Sequence, residues 1–392
     1  MDDKDRELIT GLRHQLHMDP ELSMRETHTK ERLENFIQTH TDLVVQDRGS
    51  WFYAVKDFGH RGLRIAFRAD MDALPIEESA ESMGGLPYAS RNRGVSHKCG
   101  HDGHSAALCG FALQLDRLRM SGAGKVYLIF QPGEETGQGG RICSGLIDEE
   151  RIDQVYAFHN MGGYPQGSLV VRDGLSQPAS MGLTLHFQGK ESHASYPEQG
   201  RNPAQVIAQL VMYAGQLAAQ PHRDMVLCTV TGMRCGEGDF GISPGEGSLM
   251  LTLRAAREEE MSRMKEAVCR KAEDLSAREG LKVSMEASDV FPQTRNDDAC
   301  LQLVCRAAKR QGRPVIHMKE MWRASEDFGY YTGECPGAIF YLGNGEDYPA
   351  LHTAAYDFND ANLEAAADLF MGILEEAAGS SLRKDEGRRE HG

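Results

Sequence analysis

The stretch His97-Lys98-Cys99-Gly100-His101-Asp102-Gly103-His104 packs imidazoles, a thiol and a carboxyl into a few residues. Thiolate and imidazole are donors that favour zinc and its neighbours, and a carboxylate widens the choice of metal. The two glycines imply backbone drawn tightly around something, which a plain polar loop capping a helix would not need. A second stretch, Phe130-Gln131-Pro132-Gly133-Glu134-Glu135-Thr136-Gly137, sets adjacent carboxylates in a Pro/Gly turn. In hydrolytic metal sites one carboxylate binds metal and another takes a proton from the attacking water. Phe158-His159-Asn160 and Leu351-His352-Thr353 each add an imidazole, and Arg68-Ala69-Asp70-Met71-Asp72 adds more carboxyl groups. Taken singly, a Glu-Glu pair is an ordinary solvated feature and a lone histidine an ordinary core residue. Their shared position decides the matter.

That position is set by strands. Short apolar runs at Leu63–Phe67, Lys125–Phe130, Gln154–Phe158 and Ala338–Leu342 read as buried strands. Asp70 and Asp72, Glu134 and Glu135, and His159 directly follow or end three of them, and His352 lies in the loop after the fourth. In open α/β sheets the ligand crevice lies beyond the carboxyl ends of the strands. Groups up to about 280 residues apart are thereby brought together. Amphipathic stretches at 5–18, 28–39, Ser105–Leu118 and Asn362–Ala377 read as helices between the strands, an α/β pattern. The His97–His104 stretch reads as a loop running into the helix at Ser105. From about Met181 to Val290 the order is strand, helix, strand, strand, helix, strand, the ferredoxin-like order. It lies between two halves that both carry candidate ligands, so the economical reading is a catalytic domain interrupted by an insertion.

The bulk numbers exclude other classes. At 392 residues the chain is too long for one ordinary core. A formal charge of −15 with no dense Lys/Arg block argues against nucleic acid as a partner. No apolar run approaches the roughly 18 residues of a membrane span. The start, MDDKDRELITGL, has no apolar signal core, so the expectation is a cytoplasmic protein. The 9 cysteines are odd in number and include no CxxC, which is not a disulfide framework.

The motifs resemble the M20 metallopeptidase family, in its N-acyl amino acid amidohydrolase branch of hippurate hydrolases, auxin-conjugate hydrolases and N-acetyl-diaminopimelate deacetylases. The resemblance runs from HMDPEL at His17 to His352 through RADMDALPIEE, HKCGHDGHSAAL, IFQPGEETGQGG, FHNMGG, SHASYPEQGRNP, SEDFGYY and LHTAAYDFND. It implies an α/β, mixed-sheet di-metal catalytic domain of residues 1–178 and 291–380. A ferredoxin-like lid/dimerisation domain of 179–290 would interrupt it, and 381–392 would be a disordered tail. It also implies two divalent metal ions, zinc first, with manganese, cobalt or nickel as alternatives. Their ligands would be Cys99, His101, Glu135, His159 and His352, with Cys99 as the bridge. Glu134 would be the general base on the water between the metals. Asp70, Asp72, Asp102 and Glu326 would orient ligands. On the lid, His193 would help stabilise the oxyanion, and Arg254 would pair with the substrate carboxylate. A homodimer through the lid is implied too.

The reaction so implied is hydrolysis of an N-acyl amino acid to a carboxylic acid and a free amino acid. A dipeptidase or aminopeptidase on the same metals is the alternative, and would need an acidic group to hold a free α-amine. A non-catalytic metal-binding scaffold would predict loss of the base or of ligands, and none is lost. The chain departs from the family on the lid. Gly241-Ile242-Ser243-Pro244 stands where many members have Asn-Val-Ile-Pro, and Arg254-Ala255-Ala256 stands for Arg-Thr-Phe. Both changes fall where substrate is selected and leave the metal ligands intact.

Overall fold

The computed structural model describes residues 1–59, 62–78, 87–118 and 124–379; the tail expected at 381–392 lies outside them. The described chain divides into two compact units, one of Met1–Ser176, Thr294–Met321 and the segment from Asp327 onward, the other of Gln177–Gln293 with Trp322–Glu326. Among the described residues no helix is long and apolar enough to cross a membrane.

The first unit is built on an eight-stranded sheet. Its strands include β1 (Val44–Asp47), β2 (Phe52–Asp57), β3 (Arg64–Asp70), β4 (Lys125–Gln131) and β5 (Gln154–Met161). The order is β1-β2-β4-β3-β5, then Gly337–Gly343, Leu169–Val171 and Val315–His317. β4, β3, β5 and Gly337–Gly343 run parallel, while β1 and β2 are antiparallel to their neighbours, so the sheet is mixed. The parallel strands are buried almost end to end, as covered parallel strands must be. One face packs under helices α1 (Asp3–Met18), α2 (Thr27–His40), α3 (His101–Arg117) and the C-terminal helix Ala361–Ala378. The other face has its own core of Trp51, Tyr53, Tyr127, Ile129, Val155 and Ile339.

The sequence reading differs from the structure at the start of α3. The helix begins at His101, not Ser105, so His101, Asp102 and His104 sit in its first turn rather than in a loop. Gly100 permits this. It has φ +94°, and a Cβ there would fall 2.7 Å from the Tyr356 hydroxyl and 2.8 Å from the Asn160 amide. α3 is buried nearly all round, and beyond Ser105 the enclosed residues are apolar.

The second unit carries a four-stranded antiparallel sheet in the order Val226–Cys235, Glu246–Ala255, Ala179–Gln188, Lys282–Phe291. Helices Ala204–Ala218 and Glu258–Glu279 cover one face, burying Leu183, Leu185, Leu251, Leu253, Val206 and Val268. Three glutamates open the longer helix, favourable at its positive end, and Gly280 at φ +67° closes it.

Gly103 lies inside α3, where alanine gains about 1 kcal/mol by propensity. A Cβ there would fall 2.3 Å from the Phe358 ring. Overpacking of this kind costs about 1–3 kcal/mol, so the clash wins. Gly103→Ala should lower the urea midpoint; a midpoint equal to or above wild type would refute the packing argument.

Candidate metal centre

Four parallel strands deliver the candidate donors to the same edge. β3 ends in Asp70 and leads to Asp72; β4 ends at Gln131 and leads to a single 3-10 turn, Glu134–Thr136. β5 carries His159, and the loop after Gly337–Gly343 carries His352. α3 opens with His101, directly after Cys99 and Gly100.

The distances are short. Cys99 Sγ lies 3.4 Å from His159 Nε2 and 3.4 Å from His352 Nε2. His352 Nε2 is 3.4 Å from Glu135 Oε1. His101 Nε2 is 3.9 Å from both Glu134 Oε2 and Glu135 Oε1. Cys99, His101 and His159 have their ligand atoms within 4.8 Å of one another, and so do Cys99, Glu135 and His352. Cys99 thus belongs to both triplets. His352 adopts φ +61°, rare for a residue with a Cβ, and its N–H donates to the Lys98 carbonyl at 2.8 Å.

The imidazoles are oriented from behind. His101 Nδ1 faces Asp72 Oδ1 at 3.0 Å, so this nitrogen keeps its proton and Nε2 is the one that can bind a metal once its own proton is lost. His159 Nδ1 donates to the Asn160 carbonyl at 2.8 Å, leaving Nε2 toward Cys99. Asp72 Oδ2 accepts from the Glu135 N–H at 3.1 Å and from the Ser23 hydroxyl at 2.7 Å.

The electrostatics follow from burial. Burial first, then the Glu135 and Glu134 carboxylates, hold the Cys99 thiol well above its usual range. Burial pulls His159 well below the ordinary imidazole value, leaving it neutral. For His101 burial acts downward, but Asp70, Asp72 and Glu135 outweigh it and push the ring up to about 10. Burial would raise Asp70, yet His101, His104 and Arg68 hold it well below the carboxylate range.

These donors fit divalent cations. His101 Nε2 and Glu135 Oε1 are buried with no hydrogen-bond partner, an arrangement that costs about 1–3 kcal/mol per group unless something else satisfies them. One thiol, three imidazoles and carboxylates at one spot are a donor set for zinc or its neighbours.

The other sequence-derived candidates fall in different places. Asp72 orients His101. Asp70 accepts from His104 Nδ1 at 2.6 Å and from Arg68 at 2.7 Å, and its Oδ2 is 3.9 Å from His101 Nε2. Asp102 turns away from the ligand side chains: it is held by Arg13 Nε and His17 Nδ1, each at 2.8 Å. Its neighbours in sequence are ligand candidates, but helical rotation points it to α1. Glu326 is buried at the end of the short Trp322–Glu326 stretch of the second unit. His193, exposed, and Arg254, half-buried, also belong to the second unit. His193 pairs with Ile242 in a two-residue ladder. The Arg254 guanidinium lies on the Arg323 carbonyl and donates to the Ser325 hydroxyl at 3.0 Å.

Some supporting residues escaped the sequence reading. Arg68 is fully buried and ties Asp70, Gln131 and Asp327 together. Asn160 donates its amide to the Cys99 carbonyl at 2.8 Å. Both sit inside quoted motifs, so adjacency was the available signal. Glu26, which accepts the Gly133 N–H at 2.7 Å, lies outside those motifs and has no such signal.

Thiolate, imidazole and carboxylate donors gathered beyond parallel strands, beside a second carboxylate, define a metal-binding hydrolase. The chain belongs to peptidase family M20/M25/M40, which it matches over residues 66–376. It is 31% identical to N-acetyl-L-cysteine deacetylase of Bacillus subtilis (strain 168), covering 88% of this chain and 82% of that one. It is 28% identical to hippurate hydrolase of Campylobacter jejuni, over 92% and 94% of the two chains. A Bacillus subtilis crystal structure described as a dinuclear metal binding peptidase from the M20 family superposes with a TM-score of 0.78. The identity is 25%, over 95% of this chain and 98% of that one. The protein is an amidohydrolase of this family.

The raised Cys99 and His101 values mean that both carry a proton in the metal-free protein at pH 7.5. Ligation needs the thiolate and the neutral ring, so zinc binding should release about two protons and weaken as pH falls. Calorimetry in buffers of differing ionisation enthalpy measures this; proton uptake or no release would contradict the ligand set.

Proposed function

We propose that the protein hydrolyses the amide bond of N-acyl amino acids, with Glu134 as general base and two divalent ions held by Cys99, His101, Glu135, His159 and His352. The observation that carries this reading is the place of Cys99, whose sulfur belongs to both donor triplets, with Glu134 beside His101 but outside the Cys99 groups. The similarity to N-acetyl-L-cysteine deacetylase and hippurate hydrolase supports the acyl amino acid as substrate class. Zinc suits the donors best; manganese, cobalt and nickel are alternatives.

When bound, the ions supply Lewis acidity to the scissile carbonyl and make the attacking water more acidic. The Glu134 carboxylate takes the proton from that water as its oxygen adds to the carbonyl carbon. As the C–N bond breaks, Glu134 gives the proton to the leaving nitrogen, and the free amine departs. Asp72 keeps the His101 ring in one tautomer throughout. The side chain of Glu134 is almost wholly buried, which limits competing water at the base. From the second unit, His193 is assigned to the oxyanion and Arg254 to the substrate carboxylate, a task suited to a planar guanidinium.

Zinc-loaded protein should hydrolyse at least one of a panel of N-acetyl, N-benzoyl and indole-acetyl amino acids, and should turn over the matching carboxamides poorly. Glu134→Ala should keep its metal and lose roughly 10²–10⁴-fold in kcat. Release of free amino acid from dipeptides alone would favour the peptidase alternative; full activity in Glu134→Ala would remove the assigned base.

We propose a homodimer formed through the second unit. Strand Val226–Cys235 is an edge of its sheet, and Met212, Leu227, Val230, Met233 and Met250 are exposed. An unpaired edge beside exposed apolar side chains is a surface that needs covering. Light scattering should give twice the chain mass of 43.4 kDa; a monomer at micromolar concentration would refute it.

A further inference from the structure

Glu26 stands at the first position before α2, where serine, threonine, aspartate or asparagine would cap the helix. Its side chain makes no cap bond. It reaches instead across 107 residues of sequence and accepts the Gly133 N–H at 2.7 Å, in a buried contact. Gly133 opens the turn that carries Glu134 and Glu135. A carboxyl group only 4% exposed is costly to bury, and here its hydrogen bond goes to that turn.

Two neighbours of Glu26 grip the same place. The Ser23 hydroxyl donates to Asp72 Oδ2 at 2.7 Å, and that oxygen also accepts the Glu135 N–H at 3.1 Å. Met24 takes φ +63° and lies against Gly133, where a Cβ would fall 2.6 Å from the Met24 sulfur. The preceding residues are pinned as well: the Ala73 N–H donates to the Glu21 carbonyl at 2.8 Å, and Leu22 bridges Ala73. The segment from Glu21 to Glu26 therefore braces both strand-end turns, the one after β3 and the one after β4.

We propose that Glu26 is a positioning residue for the base. Through the Gly133 N–H it fixes the backbone from which Glu134 projects, while Ser23 and Asp72 fix the next residue. It touches neither substrate nor reacting atoms. Its work needs an acceptor at that point, not a negative charge. Burial, followed by the Asp72 carboxylate, raises the Glu26 carboxyl to about 7, so the neutral form is readily available. Glutamine offers the same oxygen. The inference rests on the reading of Glu134 as the base. Without the brace the Glu134 carboxylate would sample positions off the line to the attacking water, and misplacement by about 1 Å can cost roughly 100-fold in rate.

The test uses full-length zinc-loaded protein with Glu26→Ala and Glu26→Gln. Hydrogen exchange of the Gly133 amide, metal content, melting temperature, and kcat and KM on the best panel substrate are measured for each. In Glu26→Ala the Gly133 amide should exchange about tenfold faster. kcat should fall roughly 10- to 100-fold with KM within about twofold and zinc retained. Glu26→Gln should restore both exchange and kcat. Unchanged Gly133 exchange in Glu26→Ala overturns the proposal. So does an alanine variant with wild-type kcat, or a glutamine variant as impaired as alanine. Parallel loss of metal, melting temperature and activity in both variants would mean a merely structural role and overturns it too. Should Glu26→Ala fail to fold, Glu26→Asp, which keeps the charge but shortens the arm, is held to the same outcomes. The exchange measurement needs no substrate. An active Glu134→Ala protein would therefore sink the base assignment while leaving the Glu26–Gly133 brace to be judged separately.

Discussion

The Asp72 carboxylate is the joint between the two sources of metal donors. One oxygen faces His101 Nδ1 on α3, and the other accepts from the Glu135 backbone in the turn after β4. Helix and turn are distant in sequence, and neither donor group would keep its aim without a common anchor. The anchor is itself determined: burial acts to raise Asp72, but the hydrogen bonds and charge of His101 outweigh it, and the group stays ionised. An ionised Asp72 must be met by donors, so the imidazole is held with Nδ1–H toward it and Nε2 outward. The arrangement is reciprocal. The ring keeps the carboxylate charged, and the charged carboxylate keeps a proton on Nδ1, so that Nε2 is the nitrogen left for a metal.

Behind this joint lies a bed of buried ions. Arg68 places one nitrogen on Asp70, one on Asp327 and one on Gln131, spanning β3, β4 and the segment before Gly329–Glu334. Arg13 on α1 meets Asp102, and Lys98 meets Glu78 and the Tyr356 carbonyl. Buried pairs of this sort add little net stability, because desolvation offsets their attraction. Breaking one strands its partner at a cost of about 3–5 kcal/mol. Their effect is on geometry: Arg68 ties β3 to β4, and Arg13 ties α1 to α3. A planar guanidinium suits the centre of such a bed, since its fork fixes directions as well as charge.

The sequence made the donors legible because each sits in a dense local motif at a strand end, where periodicity locates the strand and topology does the rest. Cys99, His101, Glu135, His159 and His352 lie at one place in the structure for that reason. The start of α3 was misread because Gly100 and the polar residues after it look like a loop. Tertiary burial overrides that signal: His101, Asp102 and His104 are each enclosed and each hydrogen-bonded to a distant group, so they can be helical. Asp102 shows the limit of adjacency. It neighbours a ligand candidate in sequence, yet its partners are on α1. Glu26 shows the opposite limit, since nothing local marks a residue whose partner is 107 positions away. Long-range hydrogen bonds between side chain and backbone have no sequence period and are visible only in the fold.

Gly241 belongs to the second unit and adjoins the His193 ladder. Glycine is demanded where the backbone needs positive φ or where a neighbour leaves no room for a Cβ. Gly241 is not among the residues with positive φ. A Cβ built on it would meet only the Asp239 carboxylate, at 3.2 Å, the end of an exposed side chain that can give way. Its carbonyl accepts the Ala194 N–H at 2.9 Å, and Ile242 pairs with His193, so the residue sits directly against the His193 ladder. The backbone would carry these bonds with any side chain. Neither conformation nor packing within the second unit therefore calls for glycine at 241. What glycine sets is the surface beside His193, which carries no side chain at this point. The groups that orient His101 and His159, Asp72 and the Asn160 carbonyl, belong to the first unit.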